Sequence, residues 1–172
     1  MVVEIFVLSI LRTGPIHGYE LKRRVQRPSL TPLSNNSLYP LLRRFESDGL
    51  VTKSIEVQDG KPSRKVYSIT DAGRDRLRSL LNSLPPDLAA SDEEFLVRLS
   101  FFHEIPEQNR RAILAARSAV LDAASAQVTE LLADSDHSSK REWRDLAMRR
   151  VLETTDSERR WIATLAKKAE LE

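Results

Sequence analysis

A dipeptide with strong turn preference, Asp59-Gly60, lies between two stretches in which apolar and polar residues alternate. The apolar members recur at even spacing on both sides of it: Val51, Ile55 and Val57, then Tyr67 and Ile69. Asp-Gly favours the tight turn that joins twisted antiparallel strands, so this pattern predicts a β-hairpin. The rest of the chain has helical periodicity. The sequence therefore predicts a mainly α fold that contains one small β-hairpin.

Four helices are expected around the hairpin. The first covers about residues 3–12, the second starts near His17, and the fourth follows the capping pair Thr70-Asp71. The third is expected from about Ser34, a credible N-cap, to Asp48, with Gly49 in the position that ends it. Pro40 lies inside this third helix, which leaves the start of its regular part open.

Consecutive prolines, Pro85 and Pro86, interrupt the helical pattern. Two prolines in a row cannot continue a helix, so we place a domain boundary here, between residues 1–84 and residues 85–172. The second part is predicted to form three helices, which begin at the capping box of residues 91–94, at Pro106 and at the capping box of residues 139–142.

Charge is unevenly distributed between the two halves. Residues 1–90 hold fourteen Lys and Arg against nine Asp and Glu, whereas residues 91–172 hold thirteen against sixteen. A basic half joined to an acidic half suggests that the first half meets a polyanion. The order of three helices, a basic hairpin and a fourth helix is that of a winged helix-turn-helix domain, which we expect to bind double-stranded DNA.

Several other classes of function are disfavoured. The chain has no cysteine, which excludes disulfides and catalytic thiols and fits a cytoplasmic location. The apolar N-terminus is too short to span a bilayer and is expected to be a core helix, so no membrane association is expected. His103 and His137 lack partners at metal-ligand spacing, and no nucleotide-binding or hydrolase motif occurs. We expect no enzyme, no cofactor and no metal.

Side chains at the start of the third helix suit contact with base edges. Asn pairs with adenine and Ser with several bases, and helix-turn-helix proteins make such contacts from the N-terminal end of the recognition helix. The predicted base-contacting residues are Asn35, Asn36 and Ser37, and the N-cap Ser34 is counted with them among the DNA-binding residues. The alternative is a solvated first turn with its cap.

Basic side chains around this turn are candidates for phosphate contact. They are Lys22, Arg23, Arg24 and Arg27 on the second helix and Arg43 and Arg44 on the third. On the hairpin, Lys61, Arg64 and Lys65 could reach an adjacent groove or the backbone. For Arg43 and Arg44 the alternative is a surface ion pair with Glu46 or Asp48, and we favour phosphate contact for at least one of them.

Three segments in order, GPIHGYELKRRV, SLYPLLRRFESDGLV and DGKPSRKVYSITDAG, resemble the DNA-binding domain of PadR-family transcriptional regulators. The resemblance covers about residues 1–84, and EEFLVRLSFF is similar to the start of the longer helical tails of some members. It implies that the third helix is the recognition helix, that Gly18 and Tyr19 lie near the DNA backbone, and that Tyr39 is on the DNA-facing side. It also implies a homodimer through the C-terminal helices, and for many members release of DNA by a small aromatic effector.

Two departures from the family pattern affect the predicted contacts. Asn35-Asn36 stands where the family often has Pro-Gly, so the base preference is expected to differ. The hairpin tip contains an extra residue, Ser63, compared with a common Gly-Arg-Pro-Arg run.

The last helix carries Trp143 and Trp161 eighteen residues apart, which is five helical turns, so both are predicted on one face. Two aromatic anchors on one face suit an interface with a second copy, although packing within the chain is the alternative. The predicted interface comprises Trp143, Leu146, Arg150, Val151, Thr154, Glu158, Trp161, Ile162 and Leu165. An effector pocket lined by Phe101, Phe102, Trp143 or Trp161 is a further expectation.

Together these features predict a repressor that binds a near-palindromic operator as a homodimer and is released by a small aromatic effector. A winged helix that binds another protein is the alternative, and an acidic surface over the third helix would favour it.

Overall fold

The computed structural model describes residues 1–25, 35–58, 61–133 and 142–169. The chain divides into two compact units, one of residues 1–82 with 96–101 and one of residues 83–95 with 102–172. The first unit contains four helices: α1 (Val2–Arg12), α2 (Gly18–Val25), α3 (Asn35–Ser47) and α4 (Asp71–Leu81). Its three strands are β1 (Ile16–His17), β2 (Val51–Gln58) and β3 (Lys61–Ile69). The predicted mainly α fold with a small β element is confirmed.

Apolar residues at helical spacing form the core of the first unit. On α3, Leu38, Leu42 and Phe45 are buried, which places the opposite side of that helix toward solvent. The other buried side chains include Ile5, Val7, Leu8 and Leu11 of α1 and Leu77, Leu80 and Leu81 of α4. Burial of these stripes, rather than helix propensity, supplies most of the stability of such short helices.

Helix α3 ends as the sequence predicts, at Gly49. The backbone of Gly49 has φ +70°, a left-handed conformation that glycine adopts without a steric penalty. The N–H of Leu50 donates to the carbonyl of Phe45 at 2.8 Å, and that of Gly49 donates to the carbonyl of Glu46 at 3.2 Å. This pair of bonds is a Schellman motif, which satisfies two of the last carbonyls of the helix.

The start of α3 at Asn35 agrees with the prediction, and Pro40 is accommodated inside the helix. Ser34, the predicted N-cap, lies outside the described residues, as does Arg27.

The hairpin pairs β2 with β3 in antiparallel register, from Val51 opposite Ile69 to Gln58 opposite Lys61, while Asp59-Gly60 lies outside the described residues. Strand β1 adds a third strand on the other side of β3, with Ile16 opposite Tyr67. The sequence did not predict β1, because two residues between Pro15 and Gly18 are too few to show an alternating pattern.

Helix α4 begins at the predicted cap. The Thr70 hydroxyl accepts from the N–H of Gly73 at 3.1 Å and donates to the carbonyl of Gly49 at 2.7 Å. The Thr70 side chain therefore connects the start of α4, which follows the hairpin in the chain, to the end of α3, which precedes it.

The second unit is helical. Its elements are α5 (Asp92–Leu99), whose last residues belong to the first unit, a 3-10 helix (Phe102–Glu104), α6 (Glu107–Ala133) and α7 (Glu142–Ala169). The predicted cap of α5 is present, because the N–H of Glu94 donates to the Ser91 hydroxyl at 3.3 Å. Helices α6 and α7 pack along each other and bury Ile113, Leu114 and Leu121 of α6 and Thr155 and Ile162 of α7. No described helix has the length and apolar content needed to cross a membrane.

Candidate nucleic-acid interface

A cleft of about 480 Å³ opens in the first unit where four of its elements meet. Residues of β1, α2, α3 and β3 line it: His17, Gly18, Tyr19, Glu20, Tyr39, Ser63, Arg64, Lys65 and Tyr67. Five residues predicted to contact DNA are thereby brought together, although they come from three separate segments. They are Gly18, Tyr19, Tyr39, Arg64 and Lys65.

Gly18 allows the elements to approach closely at the base of the cleft. A Cβ atom on Gly18 would lie 3.1 Å from Cε2 of Tyr67 and 3.9 Å from Cε1 of Tyr39. The first distance is tighter than ordinary van der Waals contact, so a side chain here would displace the Tyr67 ring. Glycine at this position is explained by packing of α2 against a ring from β3.

Tyr67 is buried at the base of the cleft, and its environment keeps the phenol neutral. Burial raises the pKa of Tyr67, and the charges of Lys53 and Arg43 oppose part of that increase. The Lys53 ammonium itself donates to Glu46 at 2.8 Å, which connects β2 to α3 and raises the pKa of Lys53. The hairpin is thus attached to α2 by one packed ring and to α3 by one ion pair.

The outer part of the cleft presents groups that donate hydrogen bonds. Tyr19 is 75% exposed, Tyr39 is 39% exposed, and Arg64 and Lys65 are exposed on the hairpin. Phosphate oxygens of DNA accept hydrogen bonds from Tyr, Arg and Lys, and such contacts fix the register of a protein on the duplex. The cleft therefore has the chemistry of a phosphate-binding surface.

The basic residues of α2 are partly neutralised within the helix. Glu20 accepts from Arg23 at 3.1 Å and from Arg24 at 3.0 Å, and the bonds from Arg24 and Arg23 lower the pKa of Glu20. Lys22 is half-buried. The net positive charge of α2 is therefore smaller than the number of its basic residues suggests.

On α3, the two neighbouring arginines have different environments. Arg43 is exposed on the same face as Tyr39, four positions earlier. Arg44 instead forms an ion pair with Glu4 of α1, and Arg76 of α4 contacts the other Glu4 oxygen at 3.4 Å. The ion pair that the structure shows for Arg44 is therefore not the expected alternative with Glu46 or Asp48. Arg44 is thus already paired within the chain, and phosphate contact by Arg43 or Arg44 stays a prediction.

Asn35, Asn36 and Ser37 occupy the first turn of α3, as predicted, but their side chains lie outside the described part of the structure. The same holds for the side chain of Lys61, the first residue of β3. Their contacts with bases and phosphates stay predictions.

The hairpin has an irregularity near its tip, at the position of the extra residue Ser63. Glu56 pairs with Arg64 and Gln58 pairs with Lys61, so β3 spans three steps where β2 spans two. Ser63 lies within this bulge. Bulges strengthen local twist and redirect side chains, and they are frequent near functional sites.

In the second unit, part of the predicted dimer face is exposed. Trp143 is 81% exposed, Leu146 51% and Val151 45%, and Arg150 and Thr154 are exposed between and beside them. The C-terminal residues of the predicted dimer face are less exposed. Ile162 is only 3% exposed because it packs within the unit, so its assignment to the dimer face is wrong, and Leu165 is half-buried.

Two other members of the predicted dimer face contact the chain itself. Trp161 meets the ring of Phe95 edge-on, with ring centroids 6.1 Å apart. Glu158 accepts from Nε of Arg117 at 2.8 Å. These residues were predicted at the interface because the sequence shows their spacing on α7. It does not show where α6 packs.

Arg117 is a buried residue that the sequence analysis missed. It is 3% exposed, and besides Glu158 its guanidinium contacts the Asp92 carboxylate and donates to the carbonyl of Ala89 at 2.8 Å. The guanidinium carbon also lies 5.7 Å from the centroid of the Phe95 ring. One side chain thus connects α6 to α7 and to the start of α5.

The four aromatic residues predicted to line an effector pocket have separate surroundings. Phe101 lies beneath the guanidinium of Arg12 at 6.0 Å, and Trp161 packs on Phe95. Trp143 and Trp161 are about 27 Å apart along α7, from the rise of 1.5 Å per residue. Phe102 begins the 3-10 helix. One chain does not bring both tryptophans to one pocket, so the effector site stays a prediction.

Within the described ranges, no group of three or more His, Cys, Asp or Glu residues is arranged to hold a metal ion.

Comparison with known proteins relates the chain to transcriptional regulators. Residues 7–79 match the model of the transcriptional regulator PadR-like family. The negative transcriptional regulator PadR of Bacillus subtilis is 24% identical over 109 residues, which span 62% of this chain and 60% of that protein. A transcriptional regulator of Mycobacterium tuberculosis is 36% identical over 72 residues, which span 42% of this chain and 65% of that protein. The chain thus matches less than two thirds of the length of these relatives.

Two solved structures are similar to the chain. The crystal structure of Bacillus subtilis PadR in complex with operator DNA is similar over 98% of this chain and 99% of that chain, with 19% identity and a TM-score of 0.47. A PadR-like transcriptional regulator from Bacillus cereus is similar over 45% of this chain and 76% of that chain, with 33% identity and a TM-score of 0.40. The family match of residues 7–79 includes every residue that lines the cleft.

Proposed function

Because the chain belongs to the PadR-like family of transcriptional regulators, we propose that it represses transcription by binding a near-palindromic DNA operator as a homodimer. The observation that carries this proposal is the cleft, in which Tyr19, Tyr39, Arg64 and Lys65 converge beside the recognition helix. These groups suit contact with the DNA backbone on either side of the major groove that α3 would enter.

The exposed face of α7 supports the homodimer. Trp143, Leu146 and Val151 form an apolar strip on the surface of the chain, and large aromatic residues are enriched in the centres of interfaces. A twofold dimer would present two α3 helices to one side of the duplex, about 34 Å apart, and this arrangement requires an operator with matching symmetry.

Release by a small aromatic effector belongs to the same proposal, on the strength of the family resemblance. Such a molecule must bind the DNA-competent and DNA-incompetent states unequally. Its site is not assigned, because Trp143 and Trp161 are about 27 Å apart along α7.

The surface over α3 does not favour the alternative of a protein-binding winged helix. That alternative called for an acidic surface, whereas the described exposed side chains of α3 include Tyr39 and Arg43, and Glu46 is paired with Lys53.

Fluorescence anisotropy across a salt series tests the proposal. The probe is the DNA upstream of the chain's own gene, and scrambled DNA is the comparison. Specific binding requires a preference of at least about a thousandfold, and counterion release requires affinity to fall with salt. Equal and weak binding to both would remove that fragment as an operator, and unbiased site selection that also failed would overturn the proposal.

A matched pair of variants locates the interface. Arg64→Ala should lower affinity and reduce the salt slope by about 0.9, the value for one phosphate. Arg78→Ala removes a guanidinium from α4 whose side chain is 70% exposed and which is not among the residues that line the cleft, so it should change neither quantity. Equal effects of the two variants would contradict binding through the cleft.

A further inference from the structure

Two apolar side chains project from the outer part of the hairpin. Ile55 is 64% exposed and Val57 is 82% exposed. They lie on the face of β2 that, closer to the core, carries the buried Val51 and the Lys53 that pairs with Glu46. Alternation along the strand therefore continues the core-facing surface of the sheet outward into solvent.

A basic side chain of β3 accompanies this apolar pair. Lys65 is directly opposite Ile55 and exposed, whereas Arg64 pairs with Glu56 and lies on the other face. The acidic residue between the two apolar ones, Glu56, points to the other face, where its carboxylate lies 3.8 Å from Nδ1 of His17. The described outer part of this face thus combines two apolar side chains with the Lys65 cation, and the neighbouring acid of β2 faces away.

The hairpin is long enough to reach a second groove. Val57 lies four residues beyond Lys53, the last point at which the described strand is bonded to α3, and four residues extend about 13 Å. Adjacent major and minor grooves of B-DNA are separated by about half of the 34 Å helical turn, roughly 17 Å. With α3 in a major groove, the apolar pair would come to the neighbouring minor groove.

We propose that Ile55 and Val57 pack into that minor groove and make the protein prefer A·T base pairs there. Apolar side chains are the groups that minor-groove proteins place against sugars and base steps, and Arg and Lys are attracted to the strongly negative potential of narrow A·T tracts. A G·C pair places the guanine N2 amino group on the groove floor, where it would oppose an apolar side chain. This inference rests on the proposed function, because it needs α3 to be bound to DNA.

β-Branched residues are also common in strands that contact no DNA, so the test must separate a role in binding from a role in forming the strand. The double variant I55T/V57T keeps β-branching at both positions and removes apolar surface. Ser54→Thr is the matched control, because Ser54 is exposed on the opposite face of the same strand. Thermal unfolding of both variants should match that of the wild-type protein.

The probe is the upstream fragment of the chain's own gene, prepared with three kinds of flanking base pair: A·T, G·C and inosine·cytosine. Inosine lacks the N2 amino group but keeps the major-groove edge of guanine, so it isolates the minor groove. Wild-type protein and Ser54→Thr should bind the A·T and inosine·cytosine duplexes about tenfold more tightly than the G·C duplex. The double variant should bind all three within about twofold, because each discriminating contact is worth about fivefold or more.

Two other outcomes have distinct meanings. Tight wild-type binding without any difference among the three duplexes, or an unchanged preference in the double variant, overturns the minor-groove inference and leaves the regulator intact. A failure of the wild-type protein to bind any of the duplexes or any selected DNA overturns the proposed function and this inference with it.

Discussion

Arg44 on α3 is paired with Glu4 on α1, forty positions earlier in the chain. The Glu4 side chain is only 16% exposed, and Arg76 of α4 contacts its second oxygen. Three helices are therefore connected through one carboxylate. The pairing attaches α3 to α1, and Arg44 is not among the residues that line the cleft.

Arg43 and Arg44 form a matched pair for testing which of them binds phosphate. Arg43→Ala should lower DNA affinity and reduce the salt slope by about 0.9, because it removes one phosphate contact. Arg44→Ala should leave the slope unchanged and lower the free energy of unfolding by up to about 1 kcal/mol, the upper range for a largely exposed ion pair. Anisotropy over a salt series measures the slope, and urea unfolding measures stability. A reduced slope in Arg44→Ala would show that Arg44 leaves Glu4 when DNA binds.

Glu20 restrains two other cations, and its removal should strengthen binding to DNA. Glu20→Gln frees Arg23 and Arg24, so affinity for scrambled DNA should rise and the salt slope should steepen by about 0.9 for each new phosphate contact. Asp75→Asn is the control, because it likewise removes a carboxylate paired with arginine, but on α4. A weaker or unchanged affinity of Glu20→Gln would mean that the α2 arginines do not reach the backbone.

The stability contributed by Glu20 also has a defined pH dependence. Hydrogen bonds from Arg24 and Arg23 lower the folded-state pKa of Glu20 below the ordinary 4.5. A lowered carboxyl pKa stabilises the fold above the unfolded-state pKa, and the contribution disappears as pH falls through the folded-state value. The difference in stability between wild-type protein and Glu20→Gln should therefore be constant above about pH 5.5, one unit past the unfolded pKa, and vanish in stronger acid. A difference that changes between neutral pH and pH 6 would contradict this assignment.

Local patterns explain which parts of the fold could be predicted. The alternation around Asp59-Gly60, the cap at Thr70 and the glycine that ends α3 are signals carried by neighbouring residues, and each is present in the structure. Strand β1 was missed because its existence depends on pairing with β3, fifty positions later, and not on its own two residues.

The contacts of charged residues could not be predicted in the same way. Glu4 and Arg44 are forty positions apart, and Arg117 and Glu158 are forty-one apart, so no local spacing relates them. The sequence instead suggested the nearest acids for Arg44. Similarly, the spacing of α7 predicted one face for Trp143, Trp161 and Ile162, but the packing of α6 decides which part of that face stays exposed.

Arg117 should be essential to the stability of the second unit. Arg117→Met removes the partner of Glu158 and Asp92 and should lower the free energy of unfolding by about 2–3 kcal/mol, somewhat less than for a fully buried pair because Asp92 is well exposed. Arg111 is a surface residue on the same helix and forms an i,i+4 pair with Glu107. Arg111→Met should lower the free energy of unfolding by less than about 0.5 kcal/mol. Urea unfolding compares them, and equal losses would contradict a central role for Arg117.

Trp143 and Trp161 should respond differently to substitution if α7 forms the dimer. Trp143 is 81% exposed and has no ring partner among the described residues, so Trp143→Ala should weaken dimerisation at least tenfold, the usual effect of losing a central aromatic anchor, and leave the fold of the chain unchanged. Trp161→Ala removes a ring that packs on Phe95 and should lower the free energy of unfolding by about 1–3 kcal/mol. Sedimentation equilibrium measures association, and circular dichroism during heating measures stability. A wild-type protein that stays monomeric at micromolar concentration would contradict the homodimer, and a Trp143→Ala variant that associates like the wild-type protein would place the dimer contact on another surface.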